Sequence, residues 1–309
     1  MTSPSSFLSS PKYIFLYDKV MPILFMILLI AQSAFALEAR WLGVAGVLIQ
    51  DSDTTILIDP VLTKPSLSHW ILNQPFSSNQ EAVKDRLKKL GLKQVDGIFI
   101  SHCHFDHASD VAYLSSHLKA PAYGGESLKK IVHQFDDKAP FVMVQDKSEV
   151  HIGKFKIKMF HRPHPAIIRP IDWHFLGGKI ESFKGDFYDY REGEVWMFII
   201  EHPEGITIFD QSSVFFHESM KYAGRVDNYF LGVSNPENKN TLVENNIKLI
   251  SPKRVVAIHH DFFFLESETI SQWILPTVNF SHLKSEIDRL SPQTTLIIPE
   301  KDQVIKLDP

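Results

Sequence analysis

Gly97-Ile98-Phe99-Ile100-Ser101-His102-Cys103-His104-Phe105-Asp106-His107 is the stretch that decides how this chain is read. Residues 97–100 are wholly apolar or glycine, the pattern of a short strand covered on both faces. The strand runs directly into three imidazoles and a carboxylate within six positions. Imidazole and carboxylate are the donors zinc takes when thiolates are absent. At a spacing of two, His102 and His104 can point the same way from an extended segment and grip one ion. Asp106 and His107 come from the next turn, placed to serve a neighbouring ion.

The composition agrees with a folded domain and excludes several other classes. Of 309 residues, 44% are hydrophobic and 22% charged, which rules out collagen-like, coiled-coil and disordered chains. A formal charge of −4 offers no broad cationic face, so no nucleic-acid partner is expected. Cys103 is the one cysteine, which excludes an internal disulfide framework and a Cys-cluster zinc finger. Histidine, by contrast, occurs fifteen times.

Residues 20–35 form an uncharged apolar run preceded by Lys12 and Lys19 and closed by Ala34-Phe35-Ala36. This is the layout of an export signal with an A-x-A cleavage site. Residues 1–36 are therefore expected to be a signal peptide, or an uncleaved N-terminal anchor that keeps the protein near a membrane. Either places the rest outside the cytoplasm, periplasmic or secreted. Residues 37–309 then form a single domain.

Along that domain, residues 39–49 and 55–58 read as adjacent strands joined by Asp51-Ser52-Asp53. Ser78-Asn79-Gln80-Glu81 opens a helix with Val83, Leu87 and Leu90 on one face and Gly91 as its stop. A helix is expected over 108–118. Hairpins are expected around Gly153 and around Pro203-Glu204-Gly205, with strands at 254–258 and 295–298 and a helix at 283–290. Strand pairs alternating with helices argue for two sheets with helices outside. Residues 168–193 stand apart, carrying Trp173, Phe175, Phe183, Phe187, Tyr188 and Tyr190 without a clear period. Such an insert either lines an apolar lid over the site or packs a small core of its own.

His-x-His-x-Asp-His after an apolar strand resembles the signature of the metallo-β-lactamase superfamily of metal-dependent hydrolases. Later motifs of that family follow in order through residues 37–309. The resemblance implies an α/β fold, an αββα sandwich of two mixed β-sheets packed face to face with helices on the outer faces. It implies Asp59, ending the strand Leu57-Ile58, as support behind the ligands. It asks for a histidine after a middle strand, where His164 is favoured and His161 and His174 are held in reserve as ligands or substrate contacts. Asp210, at the end of 206–210, is implied as the carboxylate bridging two ions, one oxygen to each. Phe209 stands where many members have glycine. His259 is implied as the last ligand, with His260 in the adjoining slot.

The ligand set so implied is His102, His104, Asp106, His107, His164, Asp210 and His259, holding two zinc ions, with iron or manganese compatible with the same donors. Asp106 is assigned a catalytic part as well, handling a proton. The expected chemistry is attack by zinc-activated hydroxide on an ester, lactone or phosphodiester, with a small or lipid-like acyl substrate. Trp173, His174, His161, His260 and Phe263 are candidate substrate contacts. The likeness is to the branch of lactonases and phospholipase D-type enzymes acting on N-acyl lipids. A true β-lactamase fits less well, because one subgroup carries cysteine where Asp210 stands. The alternatives are a β-lactamase-type amide hydrolase and a non-catalytic metal-binding member of the fold.

Overall fold

The structure, a computed structural model, describes residues 37–164, 177–210, 217–234, 246–264, 274–275 and 278–307. The expected export segment, Trp173 and His174 lie outside the described residues. The strands in chain order are β1 (Glu38–Gly43), β2 (Gly46–Gln50), β3 (Thr55–Ile58), β4 (Gly97–Phe99), β5 (Ala122–Gly124), β6 (Phe141–Met143) and β7 (Glu149–Ile152). They continue with β8 (Phe155–His161), β9 (Trp196–His202), β10 (Gly205–Asp210), β11 (Asn228–Gly232), β12 (Arg254–Ile258), β13 (Thr295–Ile297) and β14 (Val304–Lys306). The α-helices are α1 (Leu67–Leu72), α2 (Gln80–Leu90), α3 (Phe105–Ala108), α4 (Val111–Leu118), α5 (Glu126–Phe135), α6 (Lys248–Ile250) and α7 (Phe280–Leu290).

Two seven-stranded mixed sheets result, in the orders β14-β1-β2-β3-β4-β5-β6 and β13-β12-β11-β10-β9-β8-β7. Side-chain alternation decides which residues fill which layer. Trp41, Val47, Ile49, Ile56, Ile58 and Phe99 of the first sheet meet Phe155, Ile157, Phe198, Phe209, Phe230 and Val256 of the second, making the central core. Leu48, Leu57 and Ile98 point the other way, under Val83 and Leu87 of α2, Leu114 of α4 and Ile131 of α5. On the far side, Ile199, Ile208, Leu231 and Val255 are covered by Leu283 and Ile287 of α7. These are the four layers of an αββα sandwich.

Local signals hold in most places. Asn79, one residue later than the expected start, caps α2 by accepting the Ala82 N–H, and Gly91 ends it in the left-handed region. The stretch 39–49 is not one strand, however. It folds back at Val44 into the antiparallel pair β1–β2, with Gly43 and Val44 at φ 106° and 49°. A β-branched residue in that region is disfavoured, so nothing in the local sequence announces this turn. The expected helix at 108–118 is also two pieces, α3 starting earlier at Phe105 and α4 following.

Strand direction places the working end. β3, β4, β5 and β6 are parallel to one another, as are β10, β11, β12 and β13. Their carboxyl ends carry Asp59, the His102 motif, Asp210 and His259, and ligands in open sheets gather at carboxyl ends. The segment after β3 is tied down by Asp110, fully buried, whose carboxylate accepts the Leu62 and Thr63 N–H groups and the Thr63 hydroxyl, each at 2.7 Å. Burial pushes the Asp110 carboxyl up to about 6 despite these bonds. A folded-state value above the ordinary 3.8 favours the protonated fold. Stability from this group is therefore full below pH 4 and declines as pH rises through about 6. Urea unfolding should show wild type losing stability relative to Asp110→Asn between pH 4 and pH 7; a constant difference would refute the assignment.

Candidate metal centre

The motif after β4 leaves the sheet as an extended segment and closes into α3, with His104 at the helix start and Asp106 and His107 inside its single turn. That geometry brings two trios of donors together. His102, His104 and His164 form one, and Asp106, His107 and His259 the other; within each, the ligand atoms all lie within 4.8 Å of one another. In the first, His102 Nε2 and His104 Nδ1 are 3.0 Å apart. The His164 ring stands 4.8 and 4.9 Å from those of His102 and His104. In the second, His259 Nε2 lies 3.1 Å from His107 Nε2 and 3.2 Å from Asp106 Oδ2. The trios adjoin, for the His102 and His107 ring centroids are 3.8 Å apart.

Behind them sits Asp59, wholly buried. Its Oδ2 accepts from His107 Nδ1 at 2.7 Å and from Ser101 Oγ at 2.5 Å, and its Oδ1 accepts the Ser101 N–H at 2.6 Å. Holding the proton on Nδ1 leaves His107 Nε2 with its lone pair facing the trio. Having donated to Asp59, the Ser101 hydroxyl can accept from His102 Nδ1 at 3.1 Å, which frees His102 Nε2 in the same way. One carboxylate thereby sets an imidazole in each trio.

The electrostatics suit cation binding. Burial first, and the neighbouring imidazoles second, hold His102 well below the usual histidine range, so it is neutral with a lone pair to offer. Burial alone would raise Asp106, but His107 and His259 beside it prevail and keep it ionised, far below an ordinary carboxyl. His107 moves the opposite way from His102: burial lowers it, yet Asp59 and Asp106 more than offset that and raise it. Buried, mutually facing nitrogen and oxygen donors with one orphaned atom, His259 Nδ1, fit a divalent pair.

The remaining candidates lie outside the two trios. Asp210 is buried at the end of β10 and belongs to neither trio; its Oδ2 accepts the Tyr229 hydroxyl at 2.9 Å. That donor competes with the expected bridge of one oxygen to each ion. His161 is exposed, its ring edge-on to Trp196 at 5.6 Å, and is in neither trio. His260 packs between Trp41 and Phe280, with both ring nitrogens buried and unbonded, and burial pulls it down to about 4. Phe263 stands edge-on to His259 at 4.9 Å. Cys103 is buried in the helix-side core, where burial pushes its thiol well up. Phe187 and Tyr190 of the aromatic insert are buried in that core against Phe76, with Phe187 also against Phe105. The described part of the insert is thus a wall of the domain.

Sequence reasoning missed Ser101, Tyr229, Lys64 and Asp261. Ser101 was signalled by a hydroxyl breaking an apolar strand one residue before the motif. Lys64 and Asp261 were signalled only as single charges beside apolar stretches. Replacing Asp59 with alanine frees the tautomers of His107 and, through Ser101, of His102. Chelator competition should find cation binding weakened about 10- to 100-fold; wild-type affinity would deny Asp59 this part.

The comparisons agree with the geometry. A sequence profile of the metallo-beta-lactamase superfamily matches residues 39–205. A UPF0173 metal-dependent hydrolase of Ruegeria sp. (strain TM1040) is 31% identical over 84 residues, covering 27% of this chain and 30% of that protein. A UPF0173 protein of Pyrococcus abyssi is 24% identical over 148 residues, covering 48% of this chain and 59% of that protein. The chain thus spans less than two thirds of the length of these curated relatives. Among solved structures, an isothiocyanate hydrolase from Delia radicum gut bacteria superposes with a TM-score of 0.56 at 14% identity, over 88% of this chain and 100% of that one. A metallo hydrolase from Ignicoccus hospitalis gives 0.55 at 13%, over 87% and 97%. CmlA, a diiron β-hydroxylase from Streptomyces venezuelae, gives 0.51 at 14%, over 88% and 54%. At such identities these structures share the fold. With the profile covering more than half of its length, this chain belongs to the metallo-beta-lactamase superfamily.

Proposed function

We propose that the protein is a metal-dependent hydrolase that cleaves an ester, lactone or phosphodiester, with His102, His104 and His164 holding one cation and Asp106, His107 and His259 a second. The observation that carries this is the 3.8 Å approach of the His102 and His107 rings, which sets the two trios side by side. Asp210 is assigned to the same centre from the carboxyl end of β10, which lies two strands from β12 in the second sheet. When bound, a pair of divalent cations supplies water activated near neutral pH and a Lewis acid for the substrate oxygen. The chain's residues do the rest. Asp59 and Ser101 keep the imidazole lone pairs inward, Tyr229 fixes Asp210, and Asp106 is the buried carboxylate within reach of a departing proton. Zinc suits the donor set; the diiron relative of the same fold supports iron as a competitor, and manganese shares the preference.

Half-buried Phe262 and Phe263, the latter against His259, supply an apolar contact for an acyl arm. Strand direction bears on where that arm comes from. β1 is antiparallel to β2 and β2 to β3, so β1 and β3 run the same way, and Leu37 lies at the end of the sandwich away from Asp59. At about 3.3 Å per strand residue the separation is roughly 20 Å. An export signal, cleaved or retained, places the domain outside the cytoplasm. The described chain thus begins at the end of the sandwich away from the centre, which favours a substrate in free form over one embedded in a membrane.

Turnover of acyl-lactones, phosphodiesters and a chromogenic cephalosporin by the purified chain tests the proposal. Lactone or phosphodiester hydrolysis should vanish with chelator, return on adding zinc, and fall at least about 1,000-fold in His107→Ala. Turnover of the cephalosporin alone would favour the amide hydrolase, and chelator-resistant activity would overturn the metal reading.

A further inference from the structure

His259 does not reach its trio by a relaxed backbone. It follows β12 with φ 61°, and its N–H donates to the Val44 carbonyl at 2.8 Å. Val44, at φ 49°, is itself strained, and two side chains hold it there. The Val44 N–H donates to Asp261 Oδ1 at 2.8 Å, and Trp41 Nε1 donates to the Val44 carbonyl at 2.8 Å. Asp261 Oδ2 is paired with Lys64 Nζ at 2.7 Å, and both side chains are buried, 3% and 5% exposed. The same ammonium donates to the Phe262 carbonyl at 2.5 Å. Lys64 comes from the segment after β3, Val44 from the turn between β1 and β2, and Asp261 from the loop after β12. Three parts of the chain, distant in sequence, therefore converge on one ligand's backbone.

We propose that the buried Lys64–Asp261 pair is a positioning device for His259, acting through the Val44 turn to set the affinity of the second cation. A buried ion pair adds little net stability on average, because desolvation offsets the attraction. Here it fixes geometry instead. Asp261 holds the Val44 N–H, which presents the Val44 carbonyl to His259, while Lys64 ties Asp261 and the Phe262 carbonyl to the same point. The bonds of this chain lead to the backbone of His259, a member of the second trio. The proposal rests on the metal reading above, and the test separates the two.

Cation stoichiometry and affinity by chelator competition, with the visible spectrum of the cobalt-loaded protein, are measured for wild type, Asp261→Ala, Asp261→Asn and Lys64→Met. Wild type should bind two cations. Asp261→Ala should keep the first and bind the second about 10- to 100-fold more weakly, with an altered cobalt spectrum. Asp261→Asn, which retains an acceptor for Val44, should recover part of that loss. Lys64→Met should show the same selective weakening and decides the matter should Asp261→Ala not fold. Wild-type affinity and spectrum in folded Asp261→Ala or Lys64→Met, or equal loss of both cations, would overturn the proposal. A wild-type protein that binds no cation would instead remove the metal reading itself.

Discussion

The Asp59 carboxylate, buried at the end of β3, is the constraint on which the rest of the centre depends. It accepts three hydrogen bonds, from His107 Nδ1, the Ser101 hydroxyl and the Ser101 N–H. Through the first it orients an imidazole of one trio, and through the second, by way of Ser101, an imidazole of the other. An acceptor-only group surrounded by donors leaves each partner one arrangement. The ring nitrogens that face inward therefore do so as lone pairs, which is what a cation needs and what an unaided imidazole does not guarantee.

The sandwich makes this constraint rigid. β3 and β4 are parallel neighbours, so Asp59 and Ser101 leave adjacent strand ends in register, Ile58 opposite Phe99. The second sheet delivers His259 from the end of β12 and Asp210 from the end of β10. Between the sheets, close-packed aromatic and β-branched side chains set the separation of the two edges. Several residues at this rim pay for their positions with strained backbones: Asp59, Val44 and His259 all have positive φ. Each such residue costs on the order of 1–3 kcal/mol, and such conformations persist only where surrounding bonds over-determine them.

Much of this was legible in the sequence. The layer architecture was, because alternation in 155–159 and the unbroken apolar runs at 97–100 and 255–258 state which faces are covered. The motif residues were legible because four donors at a strand end have few structural explanations. What could not be read was created by contact. The turn at Val44 lies inside a continuous apolar run and is imposed by Asp261 and His259 from the far end of the chain. The short strand β14, which pairs with the first strand, gives no periodic signal over its three residues. Between His161 and His164 only geometry separates the candidates: β8 ends with the His161 ring turned onto Trp196, and the chain then brings His164 to His102 and His104. The hydroxyl of Tyr229 on Asp210 was likewise invisible, since a tyrosine in an apolar strand reads as core.

A crystal structure of zinc-loaded protein with anomalous diffraction at the zinc edge tests the central claim most directly. The account predicts two peaks, one bounded by His102, His104 and His164 and the other by Asp106, His107 and His259. A map with no peak at either trio, or a single peak bound by other residues, would contradict it.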